Sequence, residues 1–177
     1  MEQSSVETSN QQERLVSLAW LAGLYEGEGN FSLVQGSGSR LMPRIGLINT
    51  DESLIEAAHA TLVELGIGHY IQTRRGGCDG NPKHKDAKVI LVAGCRRVAT
   101  LLNLLLPLIR GKKRAVAEIV KAYAEYRLSL PGRHSPYTTK DYEYVSAVRA
   151  LNAKGTQVSS ETVRCALEWF QKKIQSK

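Results

Sequence analysis

The nine residues Leu21-Ala22-Gly23-Leu24-Tyr25-Glu26-Gly27-Glu28-Gly29 constrain this chain more than any other stretch. Ala19, Gly23 and Gly27 recur at four-residue spacing, so a helix here carries one stripe almost free of side chains. Such a stripe lets a second backbone approach closely, a rule best attested between membrane helices. Glycine inside a helix costs about 1 kcal/mol relative to alanine, so two of them four apart need a packing reason. Beyond the stripe the helix ends in a carboxylate, Glu28. An acid there opposes the helix dipole by about 0.3–1 kcal/mol, and a nearby cation would relieve the conflict.

Charge points to the kind of partner. Among 177 residues, 24 Lys and Arg outnumber 17 Asp and Glu, for a formal charge of +7. The first thirteen residues hold three acids (Glu2, Glu7, Glu13) and no Lys or Arg, so residues 14–177 carry +10. A surplus of that size in a small domain favours a polyanion, nucleic acid before an acidic membrane. The longest apolar run, Leu101 to Ile109, has nine residues interrupted by Asn103 and Pro107, well short of the roughly twenty a bilayer span needs. The polar, acidic N-terminus has no character of a signal or transit peptide, so an intracellular protein of the cytoplasm or an organelle matrix is expected. Cys78, Cys95 and Cys165, with His59, His69, His84 and His134, show neither disulfide nor zinc spacing.

Periodicity gives the organisation. Residues 1–10 read as a mobile tail, and Asn10 with Glu13 as a capping-box-like helix start. Alternating runs at Asn30–Val34 and Arg40–Leu47 flank the turn Gly36-Ser37-Gly38-Ser39 and read as a hairpin. Asn49 and Thr50 can cap a helix over Asp51–Leu65 that Gly66 stops. A second hairpin is expected from Tyr70–Arg75 and Ala87–Val92, then helices near Cys95–Leu106, Gly111–Ser129, Thr139–Ala153 and Ser160–Lys173. The reading is one α+β domain: a core over residues 11–135 and a C-terminal helical extension of the same domain over 136–177. Trp20, Trp169, Tyr123 and Tyr126 sit at helical positions and are expected in core or interface, and Tyr25 in packing.

Residues 21–29 resemble the signature of the LAGLIDADG homing endonucleases, matching it at Leu21, Ala22, Gly23, Leu24 and Gly29, with Glu26 and Glu28 at its two acids. The order helix-strand-strand-helix-strand-strand-helix is also that family's, and the C-terminal stretches Ala150–Asn152 and Ser160–Arg164 are similar to its homodimeric organellar members. The resemblance implies an αββαββα core whose antiparallel sheet binds double-stranded DNA, with C-terminal helices added. Because one copy of the signature is present, it implies a homodimer, joined through Ala19, Gly23 and Gly27, on a pseudo-palindromic site.

The resemblance further implies that Glu28, assisted by the Gly27 carbonyl, binds Mg²⁺, with Ca²⁺ supporting binding without cleavage. Glu stands where relatives usually carry Asp. Asn49 falls where relatives position a water, though Thr50 is one slip away and a capping role fits Asn49 equally. Lys112 takes the place of the basic residue beside the scissile phosphate, with Lys113 or Arg114 as substitutes.

Strand alternation turns Ser32, Val34, Arg40, Met42 and Arg44 outward, and Gln72, Arg74 and Lys88 from the second hairpin; Arg75, at the end of that strand, is also expected at DNA. A two-stranded ribbon fits the major groove, where Arg reads guanine and Gln reads adenine. Lys83, Lys85 and Lys154 are expected at phosphates, which give affinity without sequence information. The activity implied is site-specific hydrolysis of both DNA strands. The alternative is a catalytically silent binding protein on the same fold, a DNA-binding regulator or a maturase acting on intron RNA.

Overall fold

The computed structural model describes residues 3–35, 40–76, 85–132 and 135–153. The chain runs α1 (Gln3–Glu28), β1 (Gly29–Gln35), β2 (Leu41–Asn49), α2 (Glu52–Glu64), β3 (Tyr70–Arg74), β4 (Ala87–Ala93), α3 (Cys95–Leu105), α4 (Gly111–Ser129) and α5 (Thr139–Asn152). This is the α+β architecture expected from the sequence, with two differences at the ends of helices. α1 begins at Gln3, not at the Asn10 cap, so most of the segment read as a tail belongs to the helix. The run is free of proline and contains Gln and Glu, good helix formers, so nothing local halts it before Asn10. α2 is capped by Asp51, whose carboxylate accepts from the Ser53 amide and hydroxyl at 2.9 and 2.7 Å.

Both ends of α2 are closed by local chemistry. At its C-terminus Gly66 adopts φ +67°, a left-handed turn that glycine takes without steric cost. The Gly66 and Ile67 amides donate to the Val63 and Leu62 carbonyls at 2.9 Å each, and buried Ile67 follows buried Leu62 into the core. This is the Schellman closure. The turn from α1 into β1 depends on a second glycine. A Cβ at Gly29 would stand 2.7 Å from Tyr25 Cδ1 and 2.8 Å from its Cα. Tyr25 is buried there with its ring 6.3 Å from Phe31, so a side chain at 29 would force helix and strand apart.

The four strands form one antiparallel sheet in the order β1-β2-β4-β3. Pairing sets the faces. Phe31, Ile45 and Val92 line up across three strands, as do Leu47 and Ile90, and all are buried. Helices α1 to α5 all pack against strands of this sheet. The opposite face carries Ser32 beside Arg44, Val34 beside Met42, and Gln72 and Arg74 opposite Val89 and Ala87.

One expectation is corrected here. Lys88 stands opposite Asn49 on the helix side and forms an ion pair with Glu52 of α2 at 3.0 Å. Val89 to Val92 is uniformly apolar, so alternation could not fix the strand's parity; only pairing with β2 does.

The helices hold the sheet partly through its backbone. Tyr123 and Tyr137 hydroxyls donate to the Leu41 carbonyl at 3.2 and 3.3 Å, and Asn152 Nδ2 donates to the Phe31 carbonyl at 2.8 Å. Burial pushes the Tyr123 hydroxyl pKa up, with Asp141 adding to the shift. Between α4 and α5, Arg127 pairs with fully buried Asp141 at 3.2 Å and stacks on Tyr137. Asp141 also accepts from the Thr138 amide at 2.7 Å, the capping box that starts α5. No helix among the described residues is long and apolar enough to cross a membrane. The helix expected over Ser160–Lys173 lies outside the described residues, as do Lys83, Lys154, His134, Cys78 and Trp169.

Candidate active site and nucleic-acid face

Glu28 is the last residue of α1 and is exposed. Gly29 pairs with Leu47, so the exit of α1 and the end of β2, with Asn49, lie at the same end of the sheet. The first turn of α4 comes to this corner as well. Lys113 Nζ donates to the Gly27 carbonyl at 2.8 Å and to the Tyr25 carbonyl at 3.5 Å, while Glu26 Oε2 accepts from the Arg110 amide at 3.3 Å. The carbonyls that α1 leaves unpaired at its C-terminus thus receive an ammonium, the cation that an acid-terminated helix calls for. Burial pushes the Lys113 pKa down, and Glu28 and Glu26 pull part of it back.

The cation brought to Gly27 is Lys113, one residue beyond the Lys112 expected from sequence. Lys112 is exposed at the same helix start. Successive helical residues point about 100° apart, so counting along the chain from Pro107 cannot say which of two adjacent lysines faces inward. Arg114 is used structurally: it donates to the Leu106 carbonyl at 3.1 Å and pairs with Glu118 at 2.9 Å. Asn49 Oδ1 accepts from the Asp51 amide at 2.9 Å, which leaves its Nδ2 as donor; Thr50 lies exposed beyond it.

The open face of the sheet is a shallow groove of about 370 Å³ lined by Asn30, Ser32, Val34, Arg44, Gln72 and Arg74, among others. It carries two arginines and no acid. Arg44 reaches across to the Tyr70 hydroxyl at 3.5 Å, and its Nε is buried without a partner among the described residues. Met42 shares this face, Arg40 precedes β2, and Arg75 and Lys85 are exposed outside the strands of the second hairpin. Asn30, Ile48 and Tyr70 also belong to the open face and were not singled out from sequence. They share the parity of Ser32, Arg44 and Gln72, and that alternation was the signal available.

The stripe on α1 is uncovered. Ala19, Gly23 and Gly27 are exposed, and a Cβ at either glycine would meet nothing within 4 Å among the described residues. Leu15 and Val16 are each 65% exposed and Trp20 38%, so the same helix shows apolar side chains to solvent.

A helix ending in an acid, a cation from a neighbouring helix and a basic open sheet define a mixed α+β protein with one positively charged face. The sequence profile of the LAGLIDADG-like domain matches residues 15–105, and the chain belongs to the LAGLIDADG homing endonuclease family. Among solved structures it is similar to the homing endonuclease I-CvuI in complex with its target, with a TM-score of 0.61 at 21% identity over 88% of this chain and 95% of that one. The archaeal intron-encoded homing endonuclease I-Vdi141I, complexed with DNA, gives 0.57 at 20% identity over 88% and 94%. The meganuclease I-AabMI, bound to uncleaved DNA, gives 0.53 at 15% identity, over 75% of this chain but 43% of that one. At these identities the likeness is one of fold. No curated protein sequence matches the chain significantly.

Proposed function

We propose that this protein is a site-specific DNA endonuclease that acts as a homodimer and hydrolyses one phosphodiester on each strand of a pseudo-palindromic site with Mg²⁺. The observation that carries this reading is the exposed Glu28 carboxylate at the end of α1, where Lys113 donates to the Gly27 carbonyl at 2.8 Å and feels the Glu28 charge, on a protein whose open sheet face is lined without an acid. Two further facts support it. The small-residue stripe lies open on a helix that bears exposed Leu15, Val16 and Trp20, as a twofold interface requires. One copy of this chain also spans less than half of I-AabMI, so two copies approach its length.

The donor set suits the ion. Glu28 and the Gly27 carbonyl are hard oxygen donors, which a second protomer and two phosphates would extend to the all-oxygen shell Mg²⁺ prefers. I-CvuI structures were obtained with Ca and with Mg, in keeping with an alkaline-earth ion at such sites. Bound Mg²⁺ would supply an activated water and neutralise charge on the departing oxygen. Glu28 would hold the ion, and Lys113 would give a positive charge beside the scissile phosphate. Asn49, its Oδ1 engaged by Asp51, offers Nδ2 to a water at the strand end. Ser32, Val34, Met42, Arg44, Gln72 and Arg74 face the major groove, with Arg40 and Arg75 at its margins. An intron-encoded mobility enzyme is the biological role that fits.

A second reading has an observation in its favour. The Gly27 carbonyl is already engaged by Lys113 at 2.8 Å, which suits a chain that binds nucleic acid without cutting it. Selection from a randomised duplex library in Ca²⁺, then transfer to Mg²⁺, separates the two. Wild type should cut a palindromic consensus, and Glu28→Gln should bind it yet cut at least about 100-fold more slowly, the scale of several kcal/mol of lost charge stabilisation. Enrichment without cutting by wild type would establish the binding protein, and intron RNA would be the next ligand to try.

A further inference from the structure

On the helix side of the sheet, His59 of α2 and His69, just ahead of β3, meet with His59 Nδ1 2.7 Å from His69 Nε2. Their rings stand edge to face, 4.9 Å apart at 72°. His69 Nδ1 lies 2.7 Å from the Ile67 carbonyl. A carbonyl only accepts, so Nδ1 of His69 carries the proton and Nε2 presents its lone pair to His59. A metal-binding imidazole is ordinarily held this way, its second nitrogen donating to a backbone carbonyl that fixes tautomer and ring orientation.

We propose that His59 and His69 form a binding site for a late first-row divalent cation, with Zn²⁺ as its representative, that clips α2 to the start of β3. Imidazole nitrogen suits Zn²⁺, Cu²⁺ and Ni²⁺ and is a poor ligand for Mg²⁺, so this site and an oxygen-lined Mg²⁺ site do not compete for one ion. Zn–N bonds of about 2.0–2.1 Å in tetrahedral geometry hold two nitrogens about 3.3 Å apart, so the nitrogens need to part by about 0.6 Å and the rings to tilt until both lone pairs meet at the metal. The proton on His59 Nδ1 moves to its Nε2 as the metal takes its place. No group of three or more His, Cys, Asp or Glu surrounds a common point among the described residues, so water completes the shell.

The position gives the clip a consequence. β3 is an edge strand, and all five of its residues are exposed. It is joined to α2 by a short link, Leu65 to His69, and it carries Gln72 and Arg74 on the open face. Little apolar packing anchors it, so a bond at its first residue restrains the strand that shows those side chains. The inference does not depend on cleavage.

The test uses the full chain, stripped with chelator and titrated with ZnCl₂ in buffer containing Mg²⁺. Wild type should have a Zn²⁺ site that His59→Gln or His69→Gln alone weakens at least tenfold. Zn²⁺ should raise the Tm of wild type by about 3–5 °C, and neither variant should respond. Binding elsewhere on the chain would survive both substitutions. Equal Zn²⁺ affinity in wild type and both variants, or no binding by wild type, overturns the site. Should a variant fail to fold, imidazole nitrogen NMR of wild type decides. Zn²⁺ should shift His59 Nδ1 and His69 Nε2 and slow amide exchange in β3; shifts confined to other histidines overturn it.

Discussion

Lys113 shows where residue-level reading ends. The need for a cation at the end of α1 was legible, because an acid at a helix C-terminus conflicts with the dipole. The basic run Arg110-Gly111-Lys112-Lys113-Arg114 was its evident source. Which lysine turns inward was not legible, because it depends on the rotational setting of α4, and packing fixes that. The two positions should therefore separate in kinetics. Lys113→Met should slow cleavage about 100-fold, within the usual range for a positioned proton-transferring or charged group, while Lys112→Met stays within about tenfold of wild type. Single-turnover cleavage of the selected duplex measures both, and the reverse ranking would restore Lys112. Asn49 was open between capping and water positioning; Asp51 caps α2, and Asn49 Oδ1 accepts from the Asp51 amide just ahead of it.

Among the elements, the strands with clear alternation were read with their faces correct, and β4 was not. Phe31 and Leu33 fix β1, and Leu41, Ile45 and Leu47 fix β2, because buried and half-buried positions alternate along both. Lys88 carries the cost of a strand without that contrast. Its ion pair with Glu52 is well exposed, at 39% and 65%, so Lys88→Ala should cost less than about 1 kcal/mol of stability. It should also leave DNA affinity unchanged, whereas Arg74→Ala should weaken binding and lessen its dependence on salt. Titrations of the duplex at several salt concentrations check the pair.

The start of α2 gives a second element-scale expectation. Hydrogen bonds from the Ser53 hydroxyl and then its amide hold the Asp51 carboxyl below its ordinary value of 3.8. A depressed carboxyl stabilises the fold above its unfolded value and loses that contribution as pH falls through the folded one. The Tm advantage of wild type over Asp51→Asn should be full at neutral pH, begin to fall below pH 3.8 and vanish once pH passes below the folded value. Equal Tm profiles across that range would show that the Asp51 charge adds nothing to the cap, since Asn caps a helix as well as Asp.

For the whole molecule, strand and helix order were legible from punctuation and period, because glycine turns, caps and apolar spacing all act locally. The start of α1 was not, since Ser- and Gln-rich sequence suits a tail and a helix alike. The uncovered stripe leads to an assembly-scale expectation. A Cβ at Gly23 would meet nothing within 4 Å among the described residues beyond its own helical turn, so Gly23→Leu should fold at least as well as wild type. The same side chain would stand between two α1 helices packed stripe to stripe. Sedimentation should therefore show wild type as a dimer and Gly23→Leu as a monomer; a variant that stayed dimeric would place the interface elsewhere.

The grip of Tyr123, Tyr137 and Asn152 on the carbonyls of Leu41 and Phe31 has a consequence for change over time. Those acceptors are main-chain atoms, which any amino acid would supply, and they are engaged from behind the sheet. The letters written on the front at Ser32, Val34, Arg44, Gln72 and Arg74 can therefore be rewritten while the binding at the spine keeps the page in place. On the proposed function, a lineage with this scaffold can follow a drifting target by spelling alone.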